Sequence, residues 1–145
     1  MKILLAGDHG AFALKDEIIK HLQSRGGCQI VNLGVDGPES VDYPEYAQKL
    51  CRALLAGEAD KGILLCGTGL GMSIAANRFN GIRGALCHDE YTARLSRQHN
   101  NANVLILGAR STGPAVALGI VDVWLDTEFE GDRHQRRLDK IESRL

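Results

Sequence analysis

The feature that most constrains the fold of this chain is a repeated alternation of short apolar segments with amphipathic ones. The apolar segments cover residues 2–6, 28–33, 62–66, 83–87 and 104–107. Each is followed by a segment with apolar residues at helical spacing, at 11–25, 44–54, 70–79, 90–98 and 114–125. Strands that are apolar throughout and alternate with helices are typical of a parallel sheet covered on both faces. We therefore expect an α/β fold, a three-layer α/β/α sandwich around a five-stranded, doubly wound parallel sheet.

The chain length of 145 residues favours one domain, 1–145, and no linker, repeat or low-complexity segment divides it. Asp132 can cap a further, charge-rich helix at about 132–145. With 17 basic and 18 acidic residues, the charge balance gives no reason to expect nucleic-acid or membrane binding. No apolar run approaches the roughly 20 residues that span a bilayer.

The cysteine pattern indicates a reducing compartment. Cys28, Cys51, Cys66 and Cys87 are scattered and show no Cys-x-x-Cys spacing, which argues against a zinc site or a disulfide framework. The N-terminus reaches a charged residue too soon for a signal peptide. The expected location is the cytoplasm.

Three predicted strand ends carry unusual chemistry. Asp8 and His9 follow the first strand, a glycine-rich loop at 66–71 follows the third, and Arg110 follows the fifth. Ligands of doubly wound sheets bind beyond the carboxyl ends of the strands. If the first and third strands are neighbours, Asp8, His9 and Cys66 converge on one crevice.

The loop at 66–71 has three interpretations. Gly67, Gly69 and Gly71 can form a plain tight turn. They also approach the dinucleotide-binding fingerprint, with Asp89 placed as the ribose acid, but Met72 stands where that fingerprint has its third glycine. Finally, the glycines can expose successive amide groups beside a helix N-terminus, which stabilises a phosphate, carboxylate or enediolate anion.

Cys66 and the histidines also have structural alternatives. A cysteine at this position is either a small core residue or a thiol facing a helix N-terminus, which suits acyl chemistry or proton abstraction. His9 is a ligand or a structural hydrogen-bond partner, and His99 caps a helix or faces the crevice. Arg133 and Arg137 share one helix face, either as a solvated surface or as a phosphate clamp.

Several motifs together resemble one family. They are Gly7-Asp8-His9-Gly10-Ala11-Phe12, Asp42-Tyr43-Pro44, Cys66-Gly67-Thr68-Gly69-Leu70-Gly71, Ile74-Ala75-Ala76-Asn77, Ser96-Arg97-Gln98-His99-Asn100 and Gly131-Asp132-Arg133-His134. In this order, and almost from end to end of the chain, they resemble the ribose-5-phosphate isomerase B family. The resemblance implies an aldose–ketose isomerase that works through a cis-enediolate without metal or cofactor.

The resemblance also implies roles for individual residues. Cys66 stands at the position of the base in one branch of the family, with the Thr68 hydroxyl near it, and His99 matches the acid that opens the sugar ring. Another branch has a glutamate base at the position of Met72, so this chain belongs with the cysteine branch. The residues that match substrate-binding positions are Asp8, His9, Tyr43, Gly67, Thr68, Gly69, Leu70, Gly71, Asn100, Arg110, Arg133 and Arg137.

The family further implies a homodimer, or a dimer of dimers, in which the C-terminal helix of one subunit completes the site of the other. We expect interconversion of D-ribose 5-phosphate and D-ribulose 5-phosphate. The alternatives are an allose-6-phosphate or galactose-6-phosphate isomerase, a sugar-phosphate sensor without turnover, and a dinucleotide-binding module, which Met72 disfavours. Cys66 and His99 favour the enzyme over the sensor, because a sensor needs no acid–base pair.

Overall fold

The computed structural model describes residues 1–142, which form five strands and six helices. The elements are β1 (Lys2–Gly7), α1 (Phe12–Arg25), β2 (Gln29–Asn32), α2 (Tyr43–Leu55), β3 (Lys61–Cys66), α3 (Leu70–Ala76), β4 (Gly84–Leu86), α4 (Glu90–Gln98), β5 (Val104–Gly108), α5 (Pro114–Asp126) and α6 (Arg133–Glu142). Within the described residues, every helix is too short or too polar to cross a membrane.

The strands form one parallel sheet in the order β2-β1-β3-β5-β4. Successive side chains of each strand point to opposite faces, so Ile3 and Leu5 join one apolar cluster while Leu4 and Ala6 join another. The first cluster is covered by α1, α4 and α5, and the second by α2 and α3. This arrangement confirms the expected three-layer, doubly wound and Rossmann-like α/β sandwich.

The strand order places a switch point between β1 and β3. The chain leaves β1 towards β2 through α1 on one face, and it leaves β3 towards β4 through α3 on the other face. Adjacent connections therefore depart in opposite directions, which opens a crevice at the carboxyl ends of these two strands. The conditional prediction that β1 and β3 are neighbours is confirmed.

Side-chain hydrogen bonds explain where several helices begin and end. The Asp89 carboxylate accepts the Thr92 amide at 2.7 Å and caps α4. The predicted helix at 70–79 ends earlier, at Ala76, because the Asn77 side chain bonds the backbone of Gly84 in both directions. The helix expected at 132–145 begins at Arg133; residues 143–145 of that prediction lie outside the described residues.

Candidate active site

The first group of candidate residues lies at the carboxyl edge of the sheet, where β1, β3 and β5 end side by side. Gly7 pairs with Leu65, and Cys66 pairs with Gly108. The Asp8 amide donates to the Leu65 carbonyl at 3.3 Å, which extends the β1–β3 pairing into the loop. The loops that carry Asp8 and Cys66 are therefore joined directly by the backbone.

The Cys66 side chain is almost fully buried at the end of β3, and its sulfur faces the glycine loop. The Gly69 amide donates to the Cys66 Sγ at 3.1 Å. Thr68 faces its own turn, with its Oγ1 accepting the Leu70 amide at 3.3 Å. The loop thus presents a backbone donor to the Cys66 sulfur.

Two other cysteines differ chemically from a reactive thiol. Cys51 packs in the cluster under α2, and Cys87 packs in the cluster on the opposite face. Burial raises the pKa of each to about 11, so both are protonated at neutral pH. Both cysteines therefore have packing roles.

Arg110 and Asp8 border the same loop. The Arg110 amide donates to the Gly67 carbonyl at 2.8 Å, and a Cβ added to Gly67 would lie 3.6 Å from the Arg110 Cζ. The guanidinium therefore lies along the glycine loop. Asp8 is 7% exposed, and its Oδ1 accepts the Gly10 amide at 2.9 Å, which fixes the carboxylate at the mouth of the crevice.

His9 and Tyr43 lie in segments next to the loops that follow β1 and β3. The Val41 amide donates to the His9 Nδ1 at 3.2 Å, so a neutral His9 carries its proton on Nε2 and offers that nitrogen as a donor. The Tyr43 ring lies against α3, because a Cβ added to Gly71 would come within 2.5 Å of the Tyr43 Cζ. His9 is thus tied to the segment before α2, and Tyr43 packs beside the glycine loop.

We expect Gly69→Ala to lower the free energy of unfolding by more than the cost of a left-handed backbone alone. Gly69 has a φ of 78°, and its new Cβ would lie 2.5 Å from the Leu86 Cδ1 and 3.1 Å from the Leu107 carbonyl carbon. The left-handed backbone costs roughly 1–2 kcal/mol, and the overpacking adds about 1–3 kcal/mol. Denaturant unfolding measures the free energy, and kcat should also fall because the Gly69 amide contacts Cys66.

Gly57→Ala is the matched control. Gly57 has a φ of 77°, but an added Cβ would meet no atom within 4 Å. It should therefore show the backbone cost alone and leave kcat unchanged. Equal unfolding free energies for the two variants, with normal kcat in both, would contradict the tight fit of the loop around Gly69.

The second group of candidate residues lies at the opposite, amino edge of the sheet. A helix that follows a parallel strand runs back antiparallel to it, so His99 and Asn100, just beyond α4, come out beside the start of β5. There the Gly62 amide donates to the Asn103 carbonyl at 2.9 Å. The length of β5 alone separates this edge from the carboxyl edge by about 13 Å. His99 therefore does not face the Cys66 crevice of its own chain.

Arg133 and Arg137 belong to this second group because α6 packs on the same edge. The His134 ring of α6 stacks on the His99 ring, with centroids 4.2 Å apart and an interplanar angle of 8°. At the other end of α6, Glu142 forms an ion pair with Arg83 at 3.0 Å. The structure thus assembles His99, Asn100, Arg133 and Arg137 at one edge and Asp8, His9, Tyr43, the glycine loop and Arg110 at the other.

Sequence reasoning missed Arg83 and the cleft beside it. The Arg83 Nε donates to the carbonyls of Asn100 and Asn101, both at 3.1 Å, and so fixes the turn after His99. A cleft of about 540 Å³ lies here, lined by residues that include Asn77, Leu138 and Ile141. The sequence did contain one indication of this location. A helix that follows a parallel strand runs antiparallel to it, which places the end of α4 at the amino edge.

His99, Glu130 and His134 form a group with the ligand types of a metal site. Their ligand atoms lie within 4.8 Å of one another. A metal ion lies in the plane of each imidazole that binds it, and parallel stacked rings share no common in-plane point. In this conformation the two histidines therefore form a stack and do not chelate one ion.

The fold and the carboxyl-edge crevice define an α/β enzyme in which a thiol lies beside backbone donors, a carboxylate and a guanidinium. The model of the Ribose/Galactose Isomerase family matches residues 3–141, and the chain belongs to this family. The protein is therefore an aldose–ketose isomerase.

Individual relatives agree along nearly the whole chain. Ribose-5-phosphate isomerase B of Escherichia coli is 49% identical over 140 residues, which are 97% of this chain and 93% of that protein. The structure of the Clostridium thermocellum ribose-5-phosphate isomerase B matches with a TM-score of 0.95 and 51% identity, over 98% of this chain and 95% of that one. The Mycoplasma genitalium enzyme, solved with bound ribulose-5-phosphate, matches with a TM-score of 0.91 and 42% identity, over 97% and 93%.

Proposed function

We propose that this protein interconverts D-ribose 5-phosphate and D-ribulose 5-phosphate through a cis-enediolate. The observation that carries the proposal is the buried Cys66 sulfur, which receives the Gly69 amide at 3.1 Å beside the Asp8 and Arg110 side chains. Isomerisation needs one group that moves a proton between two carbons and donors that stabilise the oxyanion formed. The Mycoplasma genitalium relative was solved with bound ribulose-5-phosphate, which supports the same choice of substrate.

In this proposal Cys66 moves the proton between C2 and C1. The glycine-loop amides stabilise the enediolate, and Arg110 together with Arg133 and Arg137 binds the phosphate, since guanidinium forks match phosphate oxygens. The donor nitrogen of His9 suits an acceptor oxygen of the sugar phosphate. No step in this scheme requires a metal or an organic cofactor.

We further propose that two copies of the chain share each site. The observation that supports sharing is the separation of the candidate residues onto opposite edges of the sheet, which one chain cannot bring together. Leu70 and Ile74 share one face of α3 beside the crevice and are 59% and 62% exposed, which suits an interface with a second copy. In this arrangement α6 and His99 of one copy complete the Cys66 crevice of the other.

The proposed location is the cytoplasm. The four cysteines are free thiols, and Cys66 must remain reduced to serve as a base. A reducing compartment meets that requirement.

Purified protein, treated with EDTA, tests the proposed activity when it is assayed against ribose 5-phosphate, allose 6-phosphate and galactose 6-phosphate. We expect the ribose phosphate to be turned over with the highest kcat/KM and EDTA to have no effect. A preference for a hexose phosphate would show that the proposed substrate is wrong, whereas the aldose–ketose isomerisation would stand. Binding without turnover of any of the three would favour a sugar-phosphate sensor.

We expect His99→Asn to impair ring opening selectively. Ribose 5-phosphate is cyclic, so its turnover should fall by about 10²–10⁴. Ribulose 5-phosphate cannot close a furanose ring because its O5 is esterified, so deuterium exchange at its C1 in D₂O should stay within about threefold of wild type. His21→Asn, which removes the contact between the His21 ring and the Asp122 carboxylate, is the matched control and should affect neither. Equal losses in the two assays for His99→Asn would contradict a ring-opening role.

A further inference from the structure

The stacked pair of His99 and His134 joins two segments that are distant in sequence. His99 ends α4 and is partly exposed, whereas His134 lies in the first turn of α6 and is 3% exposed. Their rings are nearly parallel, with centroids 4.2 Å apart. A partly exposed side chain thus rests on a buried one, so His134 is the fixed member of the pair.

The backbone before α6 explains why His134 is fixed. The Glu130 amide donates to the Gln98 carbonyl at 3.0 Å, which ties this turn to the end of α4. The His134 amide then donates to the Gly131 carbonyl at 2.9 Å, and Gly131 and Asp132 both have positive φ, so the chain reverses tightly into α6. These contacts place the His134 ring without any hydrogen bond to His99.

The protonation of the His134 ring is also compatible with stacking on His99. Burial, together with the positive charge of His99 and Arg133, lowers the pKa of His134 below its ordinary value. A neutral ring can lie against His99 whether or not His99 carries its proton. The Glu130 carboxylate lies 3.4 Å from the His134 Nε2, on the ring edge and not on the stacked face.

We propose that His134 is a positioning residue that fixes the ring plane of His99, so that each chain presents a preoriented acid to the site it completes. This inference rests on the proposed ring-opening role of His99. The imidazole χ2 torsion is broad, so a free His99 would sample many ring planes. A flat neighbour at van der Waals distance restricts that torsion, and small misplacements of a catalytic group are costly in rate.

The test compares His134→Ala, which removes the stack, with His134→Phe, which keeps a flat ring but no nitrogen. We expect His134→Ala to lower kcat for ribose 5-phosphate by about 10–100-fold with KM nearly unchanged. His134→Phe should stay within about fivefold of wild type, because the ring plane and not the nitrogens carries the effect. Deuterium exchange at C1 of open-chain ribulose 5-phosphate should be normal in both.

An NMR measurement makes the test independent of turnover. The ring current of residue 134 should shift the His99 ring protons upfield in wild type and in His134→Phe, and this shift should be lost in His134→Ala. Thermal melts identify any variant that fails to fold, in which case the spectra and kinetics of His134→Phe decide. A fully active His134→Ala, or a His134→Phe as impaired as His134→Ala, overturns the inference.

The outcomes also separate this inference from the proposed function. If wild type does not isomerise ribose 5-phosphate, or if His99→Asn opens the ring normally, the proposed function fails and the inference fails with it. If His99→Asn is impaired as expected and His134→Ala is not, the proposed function stands and only the positioning role is wrong.

Discussion

Replacing Cys66 with alanine should lower kcat by about 10²–10⁴, the range for loss of a general base. KM should change little, because the thiol acts on the proton in the transition state and contributes little to binding the ground state. Steady-state kinetics with ribose 5-phosphate measure both quantities. Iodoacetamide should also inactivate wild type by alkylating Cys66, and saturating substrate should slow that reaction.

Cys51→Ala is the matched control for this variant. Cys51 packs in the same apolar cluster as Cys66, so its replacement removes the same atoms from the same layer of the core. Burial raises the pKa of the Cys51 thiol to about 11, which leaves it protonated and unsuited to proton abstraction. Cys51→Ala should therefore keep wild-type kcat at a temperature where it is folded. Near-normal turnover by Cys66→Ala would end the assignment of Cys66 as the base.

The layout of the sheet could be predicted from the sequence because its strands are buried on both faces. Residues 62–66 and 104–107 are continuous apolar runs, and β3 and β5 lie in the interior of the sheet. The two edge strands were less well predicted. The strand predicted at 28–33 covers Gln29–Asn32, and the strand predicted at 83–87 covers Gly84–Leu86. An edge strand forms hydrogen bonds with a neighbouring strand on one side only. Apolar residues at its ends can therefore pack under loops without joining the sheet.

The carboxyl-edge half of the site could be predicted for a different reason. Parallel strands end at one edge, so polar residues that follow neighbouring strands lie close together, and the Asp8 amide indeed bonds the Leu65 carbonyl next to Cys66. The amino-edge half depends on contacts between segments far apart in sequence. The Arg83–Glu142 ion pair and the His99–His134 stack join residues that no local pattern relates. Those contacts depend on the direction of α4 and on the path of α6 in the folded chain.

Two inactive variants should regain activity when they are mixed. Cys66→Ala lacks the base, and a chain with both Arg133→Ala and Arg137→Ala lacks two phosphate contacts, each worth about 1.5–3 kcal/mol. In a mixed dimer with shared sites, one site combines an intact Cys66 from one copy with intact arginines from the other. Random pairing of equal amounts should restore about a quarter of the wild-type activity. The measurement is turnover of ribose 5-phosphate after subunit exchange, with exchange followed by native mass spectrometry of size-tagged chains.

A chain that carries all three substitutions gives the opposite test. When it pairs with wild type in a shared-site dimer, one site loses its arginines and the other loses its base, so the mixed dimer should be inactive. If each chain instead used its own α6, the wild-type copy would stay active and the mixed dimer would keep half of its activity. Since α6 packs at the edge of the sheet remote from its own Cys66, we expect the triple variant to inactivate the wild-type chains with which it pairs. If subunit exchange is demonstrated, but wild type keeps its activity and the first mixture regains none, then α6 completes the site of its own chain.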